Sequence, residues 1–234
     1  MMSEHDRASM NWQRKVLALF GFLLPILGPL FGFLAYSKNG PHFWWSISAT
    51  FYATSNILMI GVLAVVAFFL WTYKGYDIGD SFTCKFSAGA AIGVLVFPCE
   101  CDAADITTGI LNLSTNISNV FHCISAALLF ASFAYMIGFR FTKTAGDVKS
   151  MTIYKQIRNF IYKICAGIIV FFMIVQVVTS LLNIGWMTIV NEAIMLWAFS
   201  FAWAVKADVF IKFKDKIPNK INKNKENNKE ESTQ

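Results

Sequence analysis

Residues Ile57 to Trp71 form an uninterrupted apolar run, and a chain that repeats such runs has few folds open to it. About 20 mostly apolar residues cross a bilayer core as a helix. Lipid offers backbone N–H and C=O groups no partners, so only helices and closed barrels span it. The run opens on a polar stretch, Ser46-Ile47-Ser48-Ala49-Thr50-Phe51-Tyr52-Ala53-Thr54-Ser55-Asn56. It leaves through a charged loop, Tyr73-Lys74-Gly75-Tyr76-Asp77. The same plan of polar mouth, apolar run and wet loop recurs along the chain.

Six runs fit it, at about Val16–Tyr36, Thr50–Tyr73, Phe82–Phe97, Asn116–Gly138, Phe160–Leu182 and Trp186–Val205. The fold expected is therefore all-α, a polytopic membrane protein built as a six-transmembrane-helix bundle. Charged residues make up only 15% of the chain, against roughly 25% in soluble domains. The first run is longer than the 7–15 apolar residues of a signal peptide, and Phe33-Leu34-Ala35 is a poor cleavage site, so it reads as a retained anchor. Three regions follow: an N-terminal segment over 1–15, a transmembrane domain over 16–206 and a basic tail over 207–234. The Lys- and Asn-rich end of the tail, 216–234, cannot bury enough surface to fold alone.

Nineteen of the 20 Lys and Arg residues fall on one side of this arrangement, with Lys38 alone on the other. Basic loops stay cytoplasmic, which predicts both termini inside. The same asymmetry assigns the net charge of +6 to membrane topology and away from nucleic acid. It makes anionic lipid a partner for the basic tail. Gly21, Pro25, Gly28, Pro29 and Gly32 recur on one side of the first run, and Gly89-x-x-x-Gly93 marks the third. Small residues at such spacing let a neighbouring helix come close.

Polar residues enter the spans in groups. The second carries Ser48, Tyr52, Ser55 and Asn56 at i, i+4, i+7 and i+8, one helical face. The fourth carries Asn119, His122, Ser125 and Ser132; the fifth Gln176, Thr179, Ser180 and Asn183; the sixth Thr188, Asn191 and Glu192. Apart from Ser132, all fall in the outer half of the bilayer. An ionisable side chain there costs about 2.5–3.5 kcal/mol and faces the bundle interior or a cavity. Glu192 is such a residue, and His122 lies at a similar depth. A ligand-binding site is therefore expected from Glu192, His122, Tyr52, Asn56, Gln176 and Ser48. Such a group can relay protons, hold a corner of a metal site, take a head group, or tie helices together. No cofactor is expected. Cys99-x-Cys101 lacks the spacing of a zinc site, no Gly-rich phosphate loop is present, and no serine sits in a nucleophile elbow.

The segments themselves resemble a family of bacterial six-span membrane proteins. The resemblance rests on Leu24-Pro25 to Phe31-Gly32, Ser46-Ile47-Ser48 to Thr54, Tyr73-Lys74-Gly75-Tyr76, Gly93 to Pro98, and His122 to Phe130. It covers about residues 20–206 and is distantly similar to the Frag1/DRAM and DUF998 groups. Family members often carry Asp where this chain has Asn56. The resemblance implies a six-span fold in a bacterial inner membrane and no particular activity.

Three function classes follow. The first is a non-enzymatic membrane protein whose outer polar site takes a lipid head group, an ion or a small ligand. The second is a membrane-embedded metal-dependent lipid hydrolase using His42, His122, Glu192 and an acidic loop residue. The third is a transporter, against which stands the absence of an inverted repeat.

Overall fold

The computed structural model describes residues 4–34, 46–52, 56–75, 77–100, 107–143 and 153–209. Six helices dominate these: α1 Glu4–Leu34, α2 Asn56–Thr72, α3 Ile78–Val96, α4 Thr115–Tyr135, α5 Ile153–Leu181 and α6 Met187–Lys206. A 3-10 turn, Ser48–Tyr52, precedes α2, and a π turn, Met136–Arg140, prolongs α4. A small antiparallel hairpin, β1 Thr107–Thr108 and β2 Leu113–Ser114, precedes α4.

Each helix packs against its sequence neighbours, and α6 closes onto α1. The six therefore form a ring. One end carries Arg14, Tyr73, Arg140 and Lys206, and is called the basic end below; the other is the hairpin end. The ring encloses Leu17, Leu70, Ala88, Ala91, Phe133, Ile137, Ile169, Phe199, Ala202 and Trp203, all essentially inaccessible. Phe133 of α4 stacks on Phe199 of α6 at 4.0 Å between centroids. The outward faces are apolar as well. Phe68, Trp71, Phe82, Phe160, Phe171, Ile174, Val177 and Leu181 are all exposed, which suits lipid as the surrounding solvent.

Four helical segments are long and apolar enough to cross a membrane: Ala8–Phe31, Thr115–Arg140, Ile153–Leu181 and Met187–Lys206. The most apolar 18-residue window of Ile153–Leu181 has a mean hydropathy of 2.5, and only 22% of that window is buried by protein. This is fewer than the six spans predicted from sequence. The reason lies in α2 and α3. The predicted second span began near Thr50, but the helix starts at Asn56 and has 17 residues. Ser and Thr side chains upstream offer the backbone an alternative to helix. The Thr50 hydroxyl donates to the Ile47 carbonyl at 2.6 Å, and the Ser48 N–H donates to the Ser46 hydroxyl at 3.0 Å. Helix α3 has 19 residues but carries Asp80, Ser81, Thr83, Lys85 and Ser87. The first helix, by contrast, starts at Glu4 and continues through Pro25 and Pro29. Beyond Val209, the predicted tail lies outside the described residues.

The small residues predicted to admit neighbouring helices divide. A side chain at Gly21 would meet the Ser200 hydroxyl at 2.5 Å, so α1 and α6 need glycine there. A side chain at Gly93 would collide with the Ser125 hydroxyl of α4, whereas one at Gly89 would meet open space. Only one half of the Gly-x-x-x-Gly motif therefore packs. Gly93→Val is expected to destabilise the protein by about 1–3 kcal/mol through overpacking, while Gly89→Val has a much smaller effect. Thermal melts of the two variants in one detergent check this; equal losses would disprove the assignment.

The basic end is tied by charge. Asp77 caps α3, its carboxylate accepting the Asp80 N–H at 2.8 Å. Arg140, from the π turn of α4, pairs with Asp77 and, at 2.8 Å, with Asp80. Its guanidinium lies where a Gly79 side chain would stand. The Lys143 ammonium, 3.0 Å from Asp77, and the Asp80 N–H hold the Asp77 carboxyl below the usual range.

Candidate functional site

The polar residues predicted to form one site are divided among three hydrogen-bonded groups. Two of these serve stretches of irregular backbone. Non-helical backbone at membrane depth survives only when protein or a water-filled cavity satisfies it. Helix α3 ends at Val96, and the chain runs on irregularly from Phe97 to Glu100. Each of these four residues has a backbone group matched by a side chain. His122 Nδ1 lies 2.7 Å from the Phe97 carbonyl; a carbonyl can only accept, so this nitrogen carries the proton. The Ser118 hydroxyl donates to the Pro98 carbonyl at 2.7 Å, and the Tyr52 hydroxyl to the Cys99 carbonyl at 2.6 Å. Asn119 accepts the Glu100 N–H at 3.1 Å. Three of the four come from one face of α4. Deeper on that face, Ser132 bonds Ser87 of α3 at 2.7 Å. The polar stripe of the predicted fourth span is thus the α3–α4 seam. Cys101 and His42 lie outside the described residues.

Glu192 serves the second stretch. Its carboxylate accepts the Ile47 N–H at 2.6 Å and the Ser46 hydroxyl at 3.0 and 3.1 Å. Ser48 lies against the same carboxylate. Ser46 and Ile47 are themselves buried. The turn Ser48–Tyr52 is therefore anchored at its start by Glu192 and at its end by Tyr52. Both anchors were legible as residues; Ser46, the direct partner of Glu192, opens the polar stretch ahead of α2 but was not among the predicted site residues. Its signal was the short-range Ser-x-Ser pattern ahead of an apolar helix.

The third group joins α5 to α6. The Gln176 amide donates to Thr188 at 3.0 Å and to Ser180 at 3.2 Å. Its carbonyl oxygen accepts from the Asn191 amide at 2.8 Å, and that amide also reaches Thr179 at 3.3 Å. Asn191 is fully buried, and its carbonyl oxygen has no partner among the described residues. Asn56 opens α2 and is exposed. Among the described residues no hydrogen bond joins Glu192 to His122, Gln176 or Asn56. No three His, Cys, Asp or Glu side chains among them converge as a metal site requires.

One crevice touches this end of the ring. It is a shallow slot with a cavity volume of about 50 Å³. Its walls are Leu24, Met59, Leu63, Ala126, Leu129 and neighbouring apolar side chains; Glu192 and Ser48 are its polar residues. Pockets that take small ligands combine mostly apolar walls with a few fixed polar groups at ~300–1,000 Å³; this crevice has that composition in a smaller volume. Of the predicted site residues, the crevice brings together Glu192 and Ser48 and leaves the others in separate seams.

The basic end holds a cluster that sequence reasoning missed. Arg14 is buried and donates to the Tyr73 hydroxyl at 3.0 and 3.1 Å. The Lys206 ammonium sits 4.8 Å above the Phe141 ring and 5.9 Å from the Tyr162 ring. Trp203 packs edge-on against both Tyr73 and Phe141. In the sequence these cations served only as topology markers. The available signal was that Arg14 and Lys206 each abut an apolar run.

No family model, curated protein or solved structure matches the chain.

Proposed function

We propose that this chain is a multi-pass integral membrane protein of a bacterial inner membrane, whose crevice beside Glu192 binds an amphiphile without transforming it. In this reading all six helices cross the bilayer. The 17-residue α2 is completed by the turn Ser48–Tyr52, and the charges of α3 sit in its first turns, with Asp80 paired to Arg140. The positive-inside rule then places both termini and the basic end in the cytoplasm. Reporter fusions after Lys149 and Lys216 are expected to read cytoplasmic and one after Asp105 external. A cytoplasmic signal at Asp105 would overturn the topology.

The observation that carries the binding function is the crevice itself: a slot of methyl groups with one carboxylate and one hydroxyl at its polar end. That composition suits a molecule with an apolar chain and a small polar head. Mass spectrometry of the full chain released from mild detergent is expected to find a retained lipid. Ala126→Trp, which fills the slot, is expected to lose it. Equal retention by both proteins would reject the crevice as the binding site.

A further inference from the structure

We propose that α4 and α5 part toward the hairpin end, and that a bilayer amphiphile reaches the crevice sideways through this wedge, with its acyl chain lying between the two helices. This rests on the crevice being an amphiphile site. A helix in a closed ring buries one face against its neighbours, and near the basic end α4 and α5 both do so. There α4 buries Leu129, Phe133 and Ile137, and α5 buries Tyr162, Cys165 and Ile169. Phe141, just past the π turn, packs on Tyr162 with centroids 5.4 Å apart. A side chain at Gly138 would stand 3.1 Å from the Ala166 methyl. Toward the hairpin end this pattern stops. No residue is buried over 123–128 of α4 or over 170–178 of α5. Both stretches are level with the crevice: Ala126 is one of its walls, and Gln176 bonds Asn191, the chain neighbour of Glu192. The buried polar residues of this half look the other way. Ser118 and His122 of α4 serve the backbone that follows α3, and Thr179 of α5 takes the Asn191 amide of α6.

The crevice is open on the matching side. Its walls come from α1, α2, α3, α4 and α6, and α5 supplies none of them. The margins of the gap, Ile124 and Leu128 on α4 and Ile174 and Val177 on α5, are apolar and exposed. They continue the outward faces of the ring, where lipid is the solvent, and offer water no partners. Hydrocarbon therefore fills the wedge. A slot of about 50 Å³ holds only part of an amphiphile, given that ligand pockets run to ~300–1,000 Å³. The wedge gives the rest of the chain its place, against Ala126 and Phe130, without its leaving the bilayer.

The test uses the full, unsubstituted chain in nanodiscs of dioleoyl phosphatidylcholine doped with phosphatidylcholine that carries a diazirine along its acyl chain. Photolysis fixes the probe to the residues it touches, and tandem mass spectrometry locates the adducts. Phe171 and Ile174 of α5 are exposed and report the bulk bilayer. Phe172 and Met173 are half-buried and pack toward the core, so they report the wedge. Met59 is a crevice wall and almost fully buried, so it reports the crevice. Phe172 and Met173 are expected to be labelled as heavily as Phe171 and Ile174, with label on Met59 as well. Label confined to Phe171 and Ile174 would show α5 closed on α4 and overturn the wedge. Label on Met59 that skips Phe172 and Met173 would also overturn it, moving the entrance to the hairpin end while the crevice stands as the lipid site. Label on Phe172 and Met173 that never reaches Met59 would leave lipid in the wedge and reject the crevice as its destination.

Discussion

Glu192→Leu is expected to abolish most of the folded protein, while Glu192→Gln leaves it folded. Leucine removes the acceptor of two groups, the Ile47 N–H and the Ser46 hydroxyl, which are both buried. A buried polar group left without a partner costs about 1–3 kcal/mol, and lipid supplies no water to replace the bond. The two losses together reach roughly 2–6 kcal/mol, against a total stability of about 5–15 kcal/mol for a typical domain. The turn Ser48–Tyr52 would lose the anchor at its start. Glutamine keeps one carbonyl oxygen for the Ile47 N–H and gives up only the second acceptor, so its effect is expected near 1 kcal/mol. Size-exclusion profiles and thermal melts in detergent separate the cases. If leucine matches the unmodified protein, Glu192 does not hold the turn.

Trp203→Ala is expected to have a comparable effect at the other end of the ring. Trp203 is fully buried. It joins Tyr73, Phe141 and Phe199 at centroid distances of 5.3, 5.0 and 6.0 Å. Truncating a buried tryptophan costs roughly 3–5 kcal/mol through lost contacts and the cavity left behind. The rings it braces also flank Lys206 and accept from Arg14, so the loss spreads to both cations. Trp203→Phe is a sharper probe. The indole N–H has no partner among the described residues, so phenylalanine forfeits packing and no hydrogen bond. Its cost is expected well below that of alanine, and a loss as large as alanine's would reveal a bond to the indole.

Apolar runs made the helices legible, because their signal is local and long. The polar residues were legible as a set, since His122, Glu192, Tyr52 and Gln176 all lie toward the hairpin end. Their grouping was not legible. Depth along a helix follows from sequence, but direction around it depends on which neighbours the ring supplies. His122 serves the α3–α4 seam and Glu192 the stretch ahead of the turn Ser48–Tyr52. The late start of α2 was hidden because Ser46–Asn56 shows a helical period that local Ser and Thr bonding defeats. Arg140 meets Asp77 across 63 positions of sequence, and nothing in either segment announces the other.

The ring has a consequence for the order of assembly. Its closing seam joins the first helix to the last, with Gly21 pressed on Ser200 and the Trp197 indole bonded to the Phe22 carbonyl at 3.3 Å. Helix α1 is made before α6. The surface of α1 that receives α6 stays open until α6 has been made. A chain that stops after α5 therefore leaves Gly21 and the Phe22 carbonyl without their α6 partners. Both are covered when the last helix arrives.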